Sequence, residues 1–312
     1  MSLLGRRRRN APRLSPELDD AALGRVRRRL AAPSSHGLDL SVALVEDVIR
    51  GAGQDWDRRT HRIGILAEAA GRGLPRSWRR RRPRSPDALA LHAWSELVHA
   101  RQDRSSAPLP DAADSCRLAS ERSPSDPVPW VILLGILRLQ GRPAAELRPV
   151  WREIKDRDPW NRAAHLCALA YLSPNEHGSD AQALEFVEEA RATAPDRSPV
   201  TGLELAALVH RHHRSTTHGG LEAVTAHHLW SRPHTARALG HAATFWPRPG
   251  HLTHAAALAD LNMLAYGLIM ARRLEEAAVA FEAIGGPVTA WPWAWLGDPL
   301  ERFTHWHDRL LG

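Results

Sequence analysis

Prolines recur at nearly regular intervals between stretches with helical apolar periodicity, and this spacing constrains the fold more than any other feature. Asp126-Pro127 is followed by Asp158-Pro159 after 32 residues and by Pro195 after a further 36. Proline ends a helix because it lacks the N–H that continues the hydrogen-bond ladder. Periods of 20 to 50 residues are typical of stacked repeats, since one hairpin cannot bury its apolar faces alone. Sustained period-two alternation is missing from the sequence, which therefore predicts an all-α chain.

Composition shifts along the chain predict five segments. They are a disordered basic arm over 1–14, N-terminal helices over 15–71, an Arg- and Pro-rich linker over 72–86, helical repeats over 87–286, and a Trp-rich C-terminal cap over 287–312. The first helix is expected to begin at Ser15 as the N-cap, with Pro16 in the first helical position. Ser85-Pro86-Asp87 repeats this helix-start chemistry after the linker.

The segment 128–159 resembles a tetratricopeptide repeat. Leu134 and Gly135 match the large and small pair of the family's first helix, where the small residue lets a partner helix approach. Gly141 falls in the turn between the two helices, and Trp151 matches the aromatic position of the second helix.

The resemblance continues over 160–195 and over a late hairpin that ends at Ile284. The matching positions are Leu166, Cys167, Ala183, Val187, Ala190 and Pro195, and then Leu261, Leu264, Ala265, Leu268, Ala277 and Phe281. The resemblance implies a right-handed α-solenoid of stacked antiparallel helix hairpins. In that family the first helices line a concave groove, which usually holds a peptide or a partner helix.

Carried over by position, the resemblance assigns groove contacts to ten residues. They are Ile132, Ile136, Leu139, Gln140, Asn161, Ala168, Tyr171, Asn262, Tyr266 and Ile269. The set is more apolar than polar, so the expected ligand is an amphipathic helix or an apolar peptide. The alternative is that the protein's own N-terminal helices or C-terminal segment cover this face. The resemblance thus implies a protein-interaction scaffold that binds another protein.

Positive charge is concentrated in residues 1–84, which hold twenty arginines and only nine acidic residues, while the whole chain carries +7. Two arginine runs can neutralise phosphates. They are Arg6, Arg7, Arg8 and Arg9, and Arg79, Arg80, Arg81 and Arg82. The alternative function is therefore a nucleic-acid-associated regulatory protein, without sequence specificity from phosphate contacts alone. A solvated tail and linker explain the same runs, because Lys155 is the only lysine, as in proteins of GC-rich bacteria.

Catalytic signatures are missing from the sequence, which has no phosphate-binding glycine loop and no Gly-x-Ser-x-Gly motif. Cys116 and Cys167 fit best as small buried residues of repeat helices. We therefore expect no enzymatic activity, no cofactor and no metal. No apolar stretch approaches the roughly 20 residues that span a bilayer. The start of the chain lacks the apolar core of a secretory signal, so we expect a cytoplasmic protein with reduced thiols and no membrane partner.

Twelve tryptophans are unusual beside four phenylalanines and two tyrosines. At helical spacing, Trp94, Trp130 and Trp151 are predicted to lie in the core. The tryptophans of the segment 291–295 follow the last repeat and indicate either a terminal cap or a docking platform for a peptide. We expect the helix after Asp298 to fold back on the 258–284 hairpin, with Trp293 and Trp306 buried.

Histidines are concentrated late, with twelve of the eighteen between residues 210 and 307. His210 and His213 share a helix face and would need a third ligand to hold zinc. Solvated histidines at helix ends are the simpler interpretation. Because the unperturbed pKa of histidine is about 6.5, such a cluster also predicts pH-sensitive stability or binding.

Overall fold

A computed structural model of the protein describes residues 11–31, 37–217 and 226–312. Over these ranges the chain is mostly helical, with fifteen α-helices and one pair of two-residue strands. This confirms the predicted all-α class. The chain divides into a large unit, residues 20–200, and a small unit formed by residues 201–312 together with the segment before residue 20.

The large unit contains ten helices in its described part. They are α1 (Ala21–Ala31), α2 (Leu38–Arg50), α3 (Trp56–Ala69), α4 (Gly73–Arg81), α5 (Pro86–Gln102), α6 (Pro110–Arg122), α7 (Val128–Leu139), α8 (Ala144–Arg157), α9 (Arg162–Tyr171) and α10 (Asp180–Thr193).

The small unit contains five further helices, two short 3-10 helices and both strands in its described part. In chain order they are β1 (Arg13–Leu14), α11 (Leu203–Thr217), the 3-10 helix Ala226–Ser231, α12 (Pro233–Phe245), α13 (Ala257–Met270), α14 (Leu274–Ile284), β2 (Pro287–Val288), the 3-10 helix Trp293–Trp295 and α15 (Pro299–Leu311).

The first helix begins five residues later than the sequence predicted. Leu18 has a φ of 58°, in the left-handed region, so a right-handed helix cannot run through it. The Asp20 carboxylate instead accepts a hydrogen bond from the Leu23 N–H at 3.0 Å and starts α1. The predicted start at Ser85 is confirmed, because the Ser85 hydroxyl accepts from the Ala88 N–H and Pro86 is the first residue of α5.

The segment 72–86 is not the linker that its composition predicted, since most of it forms α4. Trp78 is only 1% exposed and belongs to the core of the large unit. Pro75 is tolerated because it lies in the first turn, where a backbone N–H has no intrahelical partner. Burial of one indole thus outweighs the local preference of Gly, Pro and Arg for irregular structure.

Four helices of the large unit, α3, α5, α7 and α9, pack against one another, and we call them the inner helices. α3 contacts α5, α7 and α9, while α5 contacts α7 and α7 contacts α9. The intervening helices α4, α6, α8 and α10 each pack against an inner helix that adjoins them in sequence. Because α9 also contacts α3, the apolar faces of the inner helices pack against one another.

Polar contacts join the beginnings of the inner helices. The Arg59 guanidinium at the start of α3 donates to Asp126 Oδ2 at 2.8 Å and to Asp87 Oδ1 at 2.5 Å. Asp126 and Asp87 lie at the starts of α7 and α5. Asn161, which caps α9, donates from Nδ2 to Thr60 Oγ1 at 3.2 Å. The four inner helices therefore run in the same direction.

The tryptophans predicted for the core lie at its edge. Trp94, Trp130 and Trp151 are half-buried and pack against the apolar core of the large unit. Cys116 and Cys167 are buried free thiols, as the sequence predicted. No helix within the described residues is long and apolar enough to cross a membrane.

A buried imidazole in the large unit leads to a pH prediction. His165 is 1% exposed, lies 5.0 Å from the Trp151 ring, and its Nδ1 is 2.9 Å from the Asn161 carbonyl oxygen. Burial lowers the pKa of His165 to about 4. Its neutral form therefore stabilises the fold above the unfolded-state pKa of about 6.5, and that contribution is lost as pH falls towards 4.

We expect the free energy of unfolding to fall by up to about 3 kcal/mol through His165 between pH 6.5 and 4. Chemical denaturation of the wild type and His165→Gln at pH 7, 5.5 and 4 measures this contribution as the difference between their pH profiles. His99→Gln is the control, since that imidazole is half-buried on α5 of the same unit. Parallel pH profiles for wild type and His165→Gln would contradict the prediction.

The C-terminal segment of the small unit folds back as the sequence predicted. α15 packs against α14, with the Phe281 and Phe303 rings 4.8 Å apart. Trp293 is fully buried, whereas Trp306 is only half-buried, so the burial prediction holds for the first indole alone.

The predicted basic arm over 1–14 is ordered where the structure describes it. β1 pairs in parallel with β2, and the Arg13 N–H donates to the Gly286 carbonyl oxygen at 2.9 Å. Residues 1–10 of the predicted arm lie outside the described part of the chain. Backbone pairing with the segment after α14 thus corrects the arm prediction for its last residues.

Candidate functional site

The ten predicted groove residues do not line an open groove. Seven are buried: Ile132, Ile136, Asn161, Tyr171, Asn262, Tyr266 and Ile269. Leu139, Gln140 and Ala168 are half-buried. In the large unit the face is covered because α3 packs against α7 and α9. In the small unit, β2 packs against α13, and Trp293 contacts Tyr266 edge to face at 5.8 Å.

Asn161 and Asn262 are structural connectors rather than exposed ligand contacts. Asn161 Oδ1 accepts from the Ala164 N–H at 3.0 Å, and its Nδ2 donates to Asp158 and Thr60. Its amide therefore caps α9 and ties that helix to α3. Both Asn161 and Asn262 satisfy their buried polar atoms within their own units, as buried amides require.

The arginine run on α4 is partly neutralised by α2. Arg82 donates to both carboxylate oxygens of Glu46, at 3.0 and 2.7 Å, and Arg81 pairs with Asp39. Arg80 is exposed and Arg79 is half-buried. Arg6 to Arg9 lie outside the described residues. The described half of the predicted nucleic-acid surface thus has two of its four guanidinium groups already paired.

The late histidines contact tryptophans. His213 stacks in parallel on Trp295 with ring centroids 3.8 Å apart, and His210 stacks on Trp291 at 5.2 Å. Burial lowers the pKa of His213. Across the described ranges, no group of three His, Cys, Asp or Glu side chains is arranged to hold a metal ion. The two imidazoles therefore serve as packing partners of the segment 291–295.

The last turns of the inner helices bring together the residues that form the candidate site. Glu68 lies near the end of α3, Arg101 near the end of α5 and Arg138 near the end of α7. Cys167 lies on α9, and Glu176 follows that helix in the α9–α10 loop. Each of the other four residues influences the pKa of Arg101 electrostatically. We call these five residues the charged cluster.

Arg138 and Glu176 form a bidentate ion pair within the charged cluster. Arg138 Nε donates to Glu176 Oε2 at 2.8 Å, and Nη2 donates to Oε1 at 2.5 Å. Burial works to lower the pKa of Arg138, but Glu176 and the Cys167 sulfur outweigh it and raise the pKa. Two parallel bonds are the strongest arrangement between a guanidinium and a carboxylate.

Arg101 is in the opposite electrostatic position. Its side chain is exposed, yet its guanidinium lies beside Gly135, where a Cβ atom would come within 3.1 Å of Nη2. Burial against α7, the helix that contains Gly135, and the charge of Arg138 lower the pKa of Arg101. Within the described part of the chain, Arg101 has no ion pair.

The other two groups of the cluster are less suited to chemistry. Desolvation raises the pKa of Glu68, and the charge of Arg101 works against that shift. Burial also raises the pKa of the Cys167 thiol, despite the neighbouring Arg138 and Arg101. A thiol held in its protonated form is a poor nucleophile. The cluster is therefore arranged to bind an anion rather than to form a covalent bond.

No protein-family model, curated protein or solved structure matches this chain. The charged cluster has a signal in the sequence, because Arg101 and Arg138 are 37 residues apart, close to the proline period. Residues one repeat apart occupy equivalent positions on neighbouring inner helices, so repeated arginines indicate a shared surface.

Proposed function

We propose that this chain is a non-enzymatic protein-interaction scaffold that binds an acidic segment of a partner protein at the charged cluster. Its architecture is proposed to be that of a tetratricopeptide-like solenoid of stacked antiparallel hairpins. The packing of α4, α6, α8 and α10 beside the inner helices supports this arrangement. The proposal places the protein in the cytoplasm, which suits its two free buried thiols.

The observation that carries the proposal is the state of Arg101. Within the described residues Arg101 has no ion pair, and burial against α7 together with the charge of Arg138 outweighs the charges of Glu176 and Glu68 and lowers its pKa. A ligand carboxylate would relieve this repulsion and gain a charge-assisted hydrogen bond. The exposed side chain leaves a path for that ligand from solvent.

An acidic protein segment suits the cluster better than the apolar peptide expected from the sequence. The apolar residues assigned to the groove are buried or half-buried among the inner helices or under the C-terminal cap. The charged cluster carries two arginines, whose planar forks match carboxylates in geometry. The predicted ligand therefore changes from apolar to acidic, while the predicted class of partner, a protein, is retained.

Arg101→Gln should weaken binding of an acidic peptide by about tenfold, because one charge-assisted hydrogen bond contributes about 1.5 kcal/mol. The probe is a fluorescein-labelled peptide with a central Glu-Glu pair, titrated with the full chain and followed by fluorescence anisotropy. Arg148→Gln is the matched control, since it removes the same charge from an exposed position on α8.

Equal affinities of the Arg101→Gln and Arg148→Gln variants would overturn the proposal. Equally tight binding of a peptide with a central Gln-Gln pair would also overturn the proposal, because the ligand carboxylates would then contribute nothing to the affinity. If a single-stranded oligonucleotide bound more tightly than the Glu-Glu peptide, and did so through Arg101, the partner would be a nucleic acid instead. We expect the oligonucleotide to bind more weakly, because Arg81 and Arg82 are already paired.

A further inference from the structure

The loop between α9 and α10 has a fixed conformation that carries Glu176 to Arg138. The His177 N–H donates to the Tyr171 carbonyl oxygen at 3.1 Å, and the Glu176 and Gly178 N–H groups both donate to the Ser173 carbonyl oxygen. Gly178 is required by the turn, because a Cβ atom there would lie 2.0 Å from the Leu172 carbonyl oxygen. Glu176 is thus positioned by backbone hydrogen bonds on both sides.

Contacts from the α7–α8 turn hold the same loop in place. The His177 ring lies 4.9 Å from the Tyr171 ring and packs beside Gly141, where a Cβ atom would be 3.2 Å away. The Tyr171 hydroxyl donates to the Arg142 carbonyl oxygen at 3.0 Å. The α9–α10 loop has therefore already lost its conformational entropy on folding. Little more entropy is lost when Glu176 pairs with Arg138.

Glu176 occupies Arg138 as a ligand carboxylate would. Its two oxygens accept from Nε and Nη2, which form one edge of the Arg138 guanidinium, while the neighbouring Arg101 has no ion pair in the described part of the chain. A partner with one carboxylate can therefore pair with Arg101. A partner with two adjacent carboxylates can also form the bidentate pair with the Nε–Nη2 edge of Arg138, but only by displacing Glu176.

We propose that Glu176 is an internal competitor for the partner's second carboxylate and that the site selects segments with two adjacent acidic residues. This inference rests on the proposed function, since it concerns how the same site is regulated. Displacement of Glu176 breaks the side-chain pair that joins the α9–α10 loop to α7, while the backbone hydrogen bonds of the loop remain. Glu176 sets a threshold for binding at Arg138. The free energy that the second ligand carboxylate gains by pairing with Arg138 must exceed the free energy of the Arg138–Glu176 pair.

Glu176→Gln tests the inference directly. We expect this variant to bind the Glu-Glu peptide about tenfold more tightly, which corresponds to about 1.4 kcal/mol. Its affinity for a Glu-Gln peptide should be unchanged, because that ligand reaches only Arg101. Glu185→Gln, at an exposed position of α10, is the control for the change in net charge. Thermal unfolding of each variant checks that the fold is retained.

A second variant links the gain to Arg138. In Glu176→Gln/Arg138→Gln the tighter binding of the Glu-Glu peptide should disappear, leaving an affinity close to that for the Glu-Gln peptide. If Glu176→Gln binds both peptides with wild-type affinity while Arg101→Gln still weakens binding, the competitor role is wrong and the proposed function stands. If neither wild type nor Glu176→Gln binds the Glu-Glu peptide, the proposed function itself fails.

Discussion

Replacing Asp126 with alanine should lower the free energy of unfolding of the large unit by about 3–5 kcal/mol. Asp126 is 1% exposed, and its Oδ2 accepts a hydrogen bond from Arg59 Nε at 2.8 Å and lies 2.8 Å from Arg59 Nη2 in an ion pair. Its other oxygen accepts at 2.9 Å from the N–H of Val128, the first residue of α7. The substitution therefore leaves a buried guanidinium short of one partner and the Val128 N–H without its acceptor.

The cost is high because Arg59 has little access to water. Burial works to lower the pKa of Arg59, and the paired charges of Asp126 and Asp87 outweigh it and raise the pKa. Without Asp126, only Asp87 remains to compensate the desolvated charge. Removing one member of a buried pair is more damaging than replacing the whole pair by apolar groups.

Urea denaturation followed by circular dichroism measures the loss, with Asp114→Ala as the control. Asp114 pairs with Arg117 on the exposed side of α6, and we expect its removal to cost less than about 1 kcal/mol. Equal effects of the two substitutions would show that the contacts at the starts of the inner helices do not stabilise the large unit.

Local sequence signals predicted much of the secondary structure. The Ser85-Pro86 start of α5 and the fold-back of α15 follow from capping chemistry and apolar spacing within a few residues. The prediction of a linker over 72–86 was wrong because the burial of Trp78 depends on helices that are distant in sequence. The predicted start at Ser15 failed because Leu18 adopts a left-handed conformation that side-chain preferences do not indicate.

The groove could not be predicted from positions matched one repeat at a time. Its closure depends on contacts between α3 and α9, such as the bond from Asn161 to Thr60, which spans 101 residues of sequence. Curvature accumulates from small rotations between neighbouring hairpins, so a repeat pattern alone leaves open whether the inner face stays accessible. The arginines of the charged cluster lie near the ends of the inner helices α5 and α7.

Replacing Asn262 with alanine should destabilise the small unit by about 3 kcal/mol and detach its C-terminal cap. Asn262 is fully buried, and its Nδ2 donates to the carbonyl oxygens of Leu258 and Pro287. Its Oδ1 accepts from the Thr289 N–H at 3.3 Å and from Trp293 Nε1 at 3.0 Å. The alanine variant loses all four bonds, and each buried group left unsatisfied costs about 1–3 kcal/mol.

The hydrogen bonds from Asn262 connect α13 to the segment 287–293. Their loss should therefore destabilise the C-terminal cap first. Hydrogen exchange read by mass spectrometry should show faster exchange over 287–312 in Asn262→Ala, with little change in α5 or α7 of the large unit. Val279→Ala, on α14 in the same unit, is the control, because that side chain is 50% exposed and its removal should change little. Unchanged exchange over 287–312 would mean that the Phe281–Phe303 packing alone holds the cap, and that Asn262 is dispensable for it.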